Sequence, residues 1–273
     1  MIARAPALTA FGGLFLRDLR VLSRELLPFA VRIIMQPLLF LFVFTYLFPR
    51  MSQGAGASAM GGSMMAGSNF ATILLPGLMA VAIMFTGIAA VALPLSGEFG
   101  ITREIDDRVM CPLPVSAVAL EKVCFSALQS IFAALLVMPL AILVPATPVH
   151  IHVESWPMLV AVLILASLVS GALGLAIGSN VQPRQIGLVF SIVVIPITFL
   201  GCVYYPWALL SHVQWLQYVV LINPIVYMSE GLRAALTPGI GHMPALLILL
   251  GLAVSFGLLG WVGLKGFLRR VIS

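Results

Sequence analysis

The sequence predicts an all-α polytopic membrane protein, and three observations predict it. Of its 273 residues, 62% are hydrophobic and only 8% are charged. A water-soluble domain carries about 25% charged residues, which keep its surface dispersed. The apolar residues come in continuous runs without alternation, which selects helices over a barrel once the backbone must satisfy itself in lipid. At roughly 20 residues per span, the length allows about six spans and little else.

Residues 8–27 form the first element. Phe11, Phe15, Leu19, Leu22 and Leu26 recur at helical spacing, and so do Arg17, Arg20 and Arg24. At about 100° per residue the two sets fall on opposite faces. The segment predicts an amphipathic helix in the membrane interface, its arginines toward anionic head groups, which Pro28 ends or turns into the bilayer. The opening residues lead straight into charges and do not read as a cleavable signal.

The first span covers 29–48, with a kink expected at Gln36-Pro37. Arg32 anchors its inner end, and Tyr46 and Arg50 mark its outer end. Residues 51–69 are uncharged and rich in Gly, Ala, Ser and Met, as in an outer loop. Met51, Met60, Met64 and Met65 are soft metal ligands, but no His or Cys accompanies them. The second span is 71–95, and a charged segment follows at 97–114.

The third span is 115–144. His150, His152 and Glu154 come next; on one side of an extended segment they offer the ligands of a zinc site, against the plainer reading of a solvated loop. The fourth span, 157–178, carries Ser167, Ser170, Gly171 and Gly174, small residues that let helices approach closely in lipid. A polar turn with Arg184 leads to the fifth span, 186–203. Tyr204, Tyr205, Trp207, Trp215 and Tyr218 form an aromatic belt. Residues 206–237 are apolar but broken, as in helical pieces that re-enter the outer leaflet packed against protein. The last span is 244–264, closed by Lys265, Arg269 and Arg270.

Net charge is +5. In a soluble protein that excess suggests nucleic acid; here orientation explains it. With six spans and both termini inside, 12 of the 14 Lys and Arg residues fall on the cytoplasmic side, and only Arg50 and Arg233 fall outside. Residues 97–122 hold eight charges: Glu98, Arg103, Glu104, Asp106, Asp107, Arg108, Glu121 and Lys122. This polar island is therefore expected in the cytoplasm. Its mixed signs suit pairing with a soluble partner, where rim charges set register more than affinity.

The missing chemistry is as informative. There is no G-x-x-x-x-G-K-[ST] nucleotide loop, and no Ser/His/Asp or Cys/His arrangement with supporting context. Cys111, Cys124 and Cys202 have no metal spacing. Glu230 is the one acid expected near the membrane interior, whereas ion-coupled carriers place ionisable groups at the midplane. Glu230 and Arg233 lie one helical turn apart and can pair.

A six-span chain with no energy source of its own calls for an energised partner. The N-terminal basic helix, the Arg103-Glu104 pair before Pro114-Val115-Ser116, and the segment Asn223-Pro224-Ile225-Val226-Tyr227 to Glu230-Gly231-Leu232-Arg233 resemble the membrane subunits of ABC-2-type exporters. That group includes drug-resistance, nodulation-factor and polysaccharide permeases. The last segment is similar to the family pattern N-P-x-x-[YH]-x-x-[ED]-x-x-R. The sequence departs at Ile105-Asp106-Asp107-Arg108, where many members have a glycine-containing segment.

The resemblance implies a single membrane domain over 1–273. It implies that Arg103, Glu104, Asp106, Asp107 and Arg108 form a coupling helix seated on a separate ATPase subunit, with Arg184 as a second contact. The outer motif would be Asn223, Pro224, Tyr227, Glu230 and Arg233. The chain itself would bind no cofactor, with ATP and Mg on the partner. A second copy or homologue would complete the path for a drug, lipid or lipid-linked glycan, in the bacterial inner membrane. The alternatives are an integral membrane enzyme or assembly factor, with His150, His152 and Glu154 as its only polar cluster, and an ATP-independent secondary carrier.

Overall fold

Continuous apolar runs leave a backbone in lipid no hydrogen-bond partner but itself. Among the described residues every regular element is indeed helical. The computed structural model describes residues 4–24, 26–47, 69–99, 113–143, 153–237 and 241–272. The methionine-rich segment, the candidate coupling residues Arg103 to Arg108, and His150 and His152 lie outside these.

Helix α1 is Arg4–Arg24 and α2 is Leu26–Leu41, continuing as a π-helical segment Phe42–Leu47. Then come α3 (Asn69–Gly97), α4 (Val115–Leu143), α5 (Trp156–Asn180) and α6 (Ile186–Phe199). Two short helices, α7 (Gln214–Val219) and α8 (Pro224–Leu236), precede α9 (Ala245–Ile272). Among the described residues four segments are long and apolar enough to cross a membrane: Thr72–Gly97, Val115–Leu143, Trp156–Asn180 and Ala245–Val271. The pair Gln214–Ile222 and Pro224–Leu236, bent by 99°, makes a fifth if it counts as one span.

The six expected spans are therefore not all single long helices. The first becomes α2 plus its π segment, and the fifth ends at Phe199 instead of 203. Pro196 removes an amide donor within α6, and the chain then turns through Cys202, whose φ of 51° lies in the left-handed region. Pro28 does not stop the first helix. Pro28 lies inside α2, whose described residues begin at Leu26. The last helix runs eight residues past the expected 264, because nothing breaks it and Arg269 and Arg270 suit a helix C-terminus.

The centre of the bundle is α5, which packs on α3, α4 and α9. Small residues permit this. Ser126 Oγ donates to the Gly87 carbonyl at 3.0 Å, and the Ser130 and Ser170 hydroxyls meet at 3.4 Å. A Cβ on Gly87 would lie 2.0 Å from Ser170 Oγ, so that crossing excludes any side chain. The main core lies among α3, α4, α5, α8 and α9. A smaller one, with Leu14, Leu95, Val118 and Phe267, joins α1 to the ends of α3, α4 and α9. On α9, Leu246, Leu250, Val254 and Leu258 form an exposed stripe four residues apart, as a lipid-facing helix requires.

Candidate functional site

The motif in α8 is built from its cap upward. Asn223 precedes Pro224, and its side-chain oxygen accepts from Ile225 N–H at 3.1 Å, an N-cap that starts the helix. Its Nδ2 donates to the Ile197 carbonyl at 2.6 Å, tying the bend to α6. Tyr227 Oη donates to the Leu221 carbonyl at 2.8 Å, bridging the two arms of the bend. The Tyr227 ring fills the space over Gly251 of α9, where a Cβ would come within 2.5 Å of it.

One turn on, Glu230 and Arg233 form an ion pair with both side chains fully buried. The carboxylate also accepts from Trp207 N–H at 3.0 Å and from Met243 N–H at 3.2 Å. Arg233 Nη2 donates to the Cys202 carbonyl at 3.2 Å. Two side chains thus hold the turn at 202, the segment at 207 and the entry to α9. A buried charge needs this number of partners to be tolerated. Within this cluster, Arg233 Nε has no hydrogen-bond partner among the described residues. Nothing here forms a nucleophile and base; the arrangement staples irregular backbone. Trp207 Nε1 donates to the Gln217 carbonyl at 3.2 Å, while Trp215 and Tyr218 are exposed as a belt requires.

The other end of the bundle carries the basic residues. Arg17, Arg20 and Arg24 of α1 are exposed, as is Arg184 in the turn after α5. The face of α1 turned inward uses Phe11, Leu14 and Phe15, with Phe15 edge-on to Phe125 of α4 at 5.8 Å. Leu14 is buried where the helical spacing pointed to Leu19 and Leu26, which are exposed. The stripe against protein is narrower than the apolar face, and the remainder is free to meet lipid.

Three members of the polar island are not on a surface. Glu98, Glu121 and Lys122 are buried, and Lys122 Nζ meets Glu98 Oε1 at 2.7 Å. This pair joins the end of α3 to the first third of α4, and so clasps the two ends of the 100–112 segment. Beside it, Arg270 stacks over the Phe99 ring at 4.5 Å and donates to the Val181 carbonyl at 2.8 Å, capping the C-terminus of α5. The clasp lies beside the smaller core that joins α1 to the ends of α3, α4 and α9. Among the described residues, no group of three His, Cys, Asp or Glu side chains is placed to hold a metal.

Over residues 9–237, from α1 to the residue after α8, the sequence matches the family described as ABC-2 type transporter. The chain belongs to that family. It is similar to the inner membrane transport permease YadH of Escherichia coli (strain K12), with 28% identity over 203 residues, covering 72% of this chain and 75% of that protein. YadH of Escherichia coli O157:H7 and of Shigella flexneri match to the same extent. Members of the ABC-2 permease family are transport subunits, and the apolar helices described above fit that placement.

Proposed function

We propose that this chain is the membrane subunit of an ATP-driven exporter that moves a hydrophobic or amphiphilic substrate (drug, lipid or lipid-linked glycan) out of the cytoplasm or the inner leaflet. The observation that carries the proposal is the family match over 9–237, joined to a sequence with no nucleotide loop. The energy must come from another chain, an ABC ATPase that carries ATP and Mg. All of 1–273 acts as one membrane domain, paired with a second copy or a homologue.

The six-span topology, with both termini in the cytoplasm of a bacterial inner membrane, underlies this assignment. The helix α2 and its π segment together hold 22 residues, or about 33 Å at 1.5 Å per residue, enough for a hydrocarbon core of about 30 Å. The bent α7–α8 pair is assigned as re-entrant helices on the outer side, stapled by Glu230 and Arg233. Arg103, Glu104, Asp106, Asp107 and Arg108, with Arg184 as a second contact, receive the ATPase subunit. Arg17, Arg20 and Arg24 hold α1 against anionic lipid.

Co-purification tests the proposal. The tagged chain should bring an ATPase subunit with it from its native membrane, and the double reversal Asp106→Arg/Asp107→Arg should release that subunit while leaving the chain folded. If no ATPase subunit travels with the chain and the reversal changes nothing, the exporter assignment fails.

A further inference from the structure

A cavity of about 180 Å³ lies among α2, α3, α4 and α6, midway along α4. Phe29, Phe85 and Phe190 wall it, and Phe85 and Phe190 meet edge to face at 5.8 Å. Two polar side chains line it, Thr86 and Gln129. Gln129 is only 9% exposed, and neither its carboxamide nor the Thr86 hydroxyl hydrogen-bonds to any described residue. The nearby serines behave differently: Ser126 donates to the Gly87 carbonyl and Ser130 to the Ser126 carbonyl.

An amide that faces a gap in a hydrocarbon setting gains from a hydrogen-bonding occupant. Here the unused donor and acceptor border an empty volume with aromatic walls, the usual composition of a small-molecule site. The described residues that line it carry no charge. A cavity of about 150 Å³ accepts benzene, so this one takes a single ring or a short acyl group with one substituent.

We propose that this cavity binds the neutral, hydrogen-bonding portion of an amphiphile. A ring or short acyl segment would lie against the phenylalanines, with a hydroxyl, ester or amide group on Gln129 and Thr86. The proposal rests on the transport assignment above and narrows its substrate class.

The test is photolabelling of the purified chain in nanodiscs with a phenyl-diazirine benzyl alcohol, one ring bearing one hydroxyl. Saturable adducts are expected in the peptides holding Phe85, Gln129 and Phe190. Benzyl alcohol should displace the probe about fivefold better than toluene, the effect of one neutral hydrogen bond, and benzylammonium should not displace it. Gln129→Leu should erase the preference for benzyl alcohol over toluene, Thr86→Val should reduce it, and Ala82→Phe should remove the saturable adducts. Non-saturable labelling spread along the exposed stripe of α9, or an unchanged preference in Gln129→Leu, would overturn the proposal. The assay needs no ATPase, so the two failures separate. A saturable site without an ATPase partner sinks the exporter assignment alone, and an ATP-hydrolysing complex without a saturable site sinks this proposal alone.

Discussion

Among the described residues two ion pairs are buried, one toward each end of the bundle, and they are built differently. Glu230 and Arg233 sit one turn apart on a single helix, both with no exposure, and gather backbone groups from positions 202, 207 and 243. Glu98 and Lys122 lie 24 residues apart on two helices and keep 7–8% exposure. The first pair uses its charges to satisfy broken backbone. The second uses them to hold one helix end against another. A local staple depends on which atom sits where, whereas a clasp between helices depends mainly on opposite sign.

That contrast can be broken by substitution. Arg233→Met should cause the largest loss, about 3–5 kcal/mol, because it leaves Glu230 buried without its cation. Thermal unfolding in detergent would show it. The exchange Glu230→Arg/Arg233→Glu should not recover the loss, since the N–H groups of Trp207 and Met243 need the carboxylate at 230. A stable exchange variant would show that sign alone suffices there as well.

Lys122→Met should cost less, about 2 kcal/mol, since this pair keeps slight exposure where Glu230 and Arg233 keep none. Here the exchange Glu98→Lys/Lys122→Glu should restore most of the stability. Failure of the exchange would make the clasp as position-specific as the staple. Asn223→Ala should lower stability by about 1 kcal/mol through the lost cap, measured by the same unfolding.

The smallest structural effect should come from Arg17→Gln/Arg20→Gln/Arg24→Gln. Unfolding should shift by less than about 0.5 kcal/mol, as for exposed sites. Hydrogen-exchange protection of α1 on anionic nanodiscs should fall to its value on neutral ones. Unchanged protection would remove the head-group role of these arginines.

Much of this was legible in the residues, for identifiable reasons. Continuous apolar runs place α3, α4 and α5 within a few residues, because length and hydropathy alone define a membrane helix. Ser170, Gly171 and Gly174 announce close packing because only small side chains permit it. The spacing of Glu230 and Arg233 states their pairing, since one helical turn is a local rule. What the sequence hides is non-local. Glu98, Glu121 and Lys122 are buried beside the smaller core that joins α1 and α9, and a charge count reads them as surface. The Leu14 anchor depends on where α4 meets α1. Gln129 and Thr86 look like ordinary span residues until three phenylalanines from different helices enclose a space beside them.

The central claim is that the basic end, not the aromatic end, receives force from an ATPase. It is tested most directly by placing a photoreactive benzoylphenylalanine at Asp107 or at Trp215 and irradiating native membranes. The account predicts an adduct to a nucleotide-binding subunit from position 107 and none from position 215. No adduct at 107, or equal adducts at both positions, would contradict it.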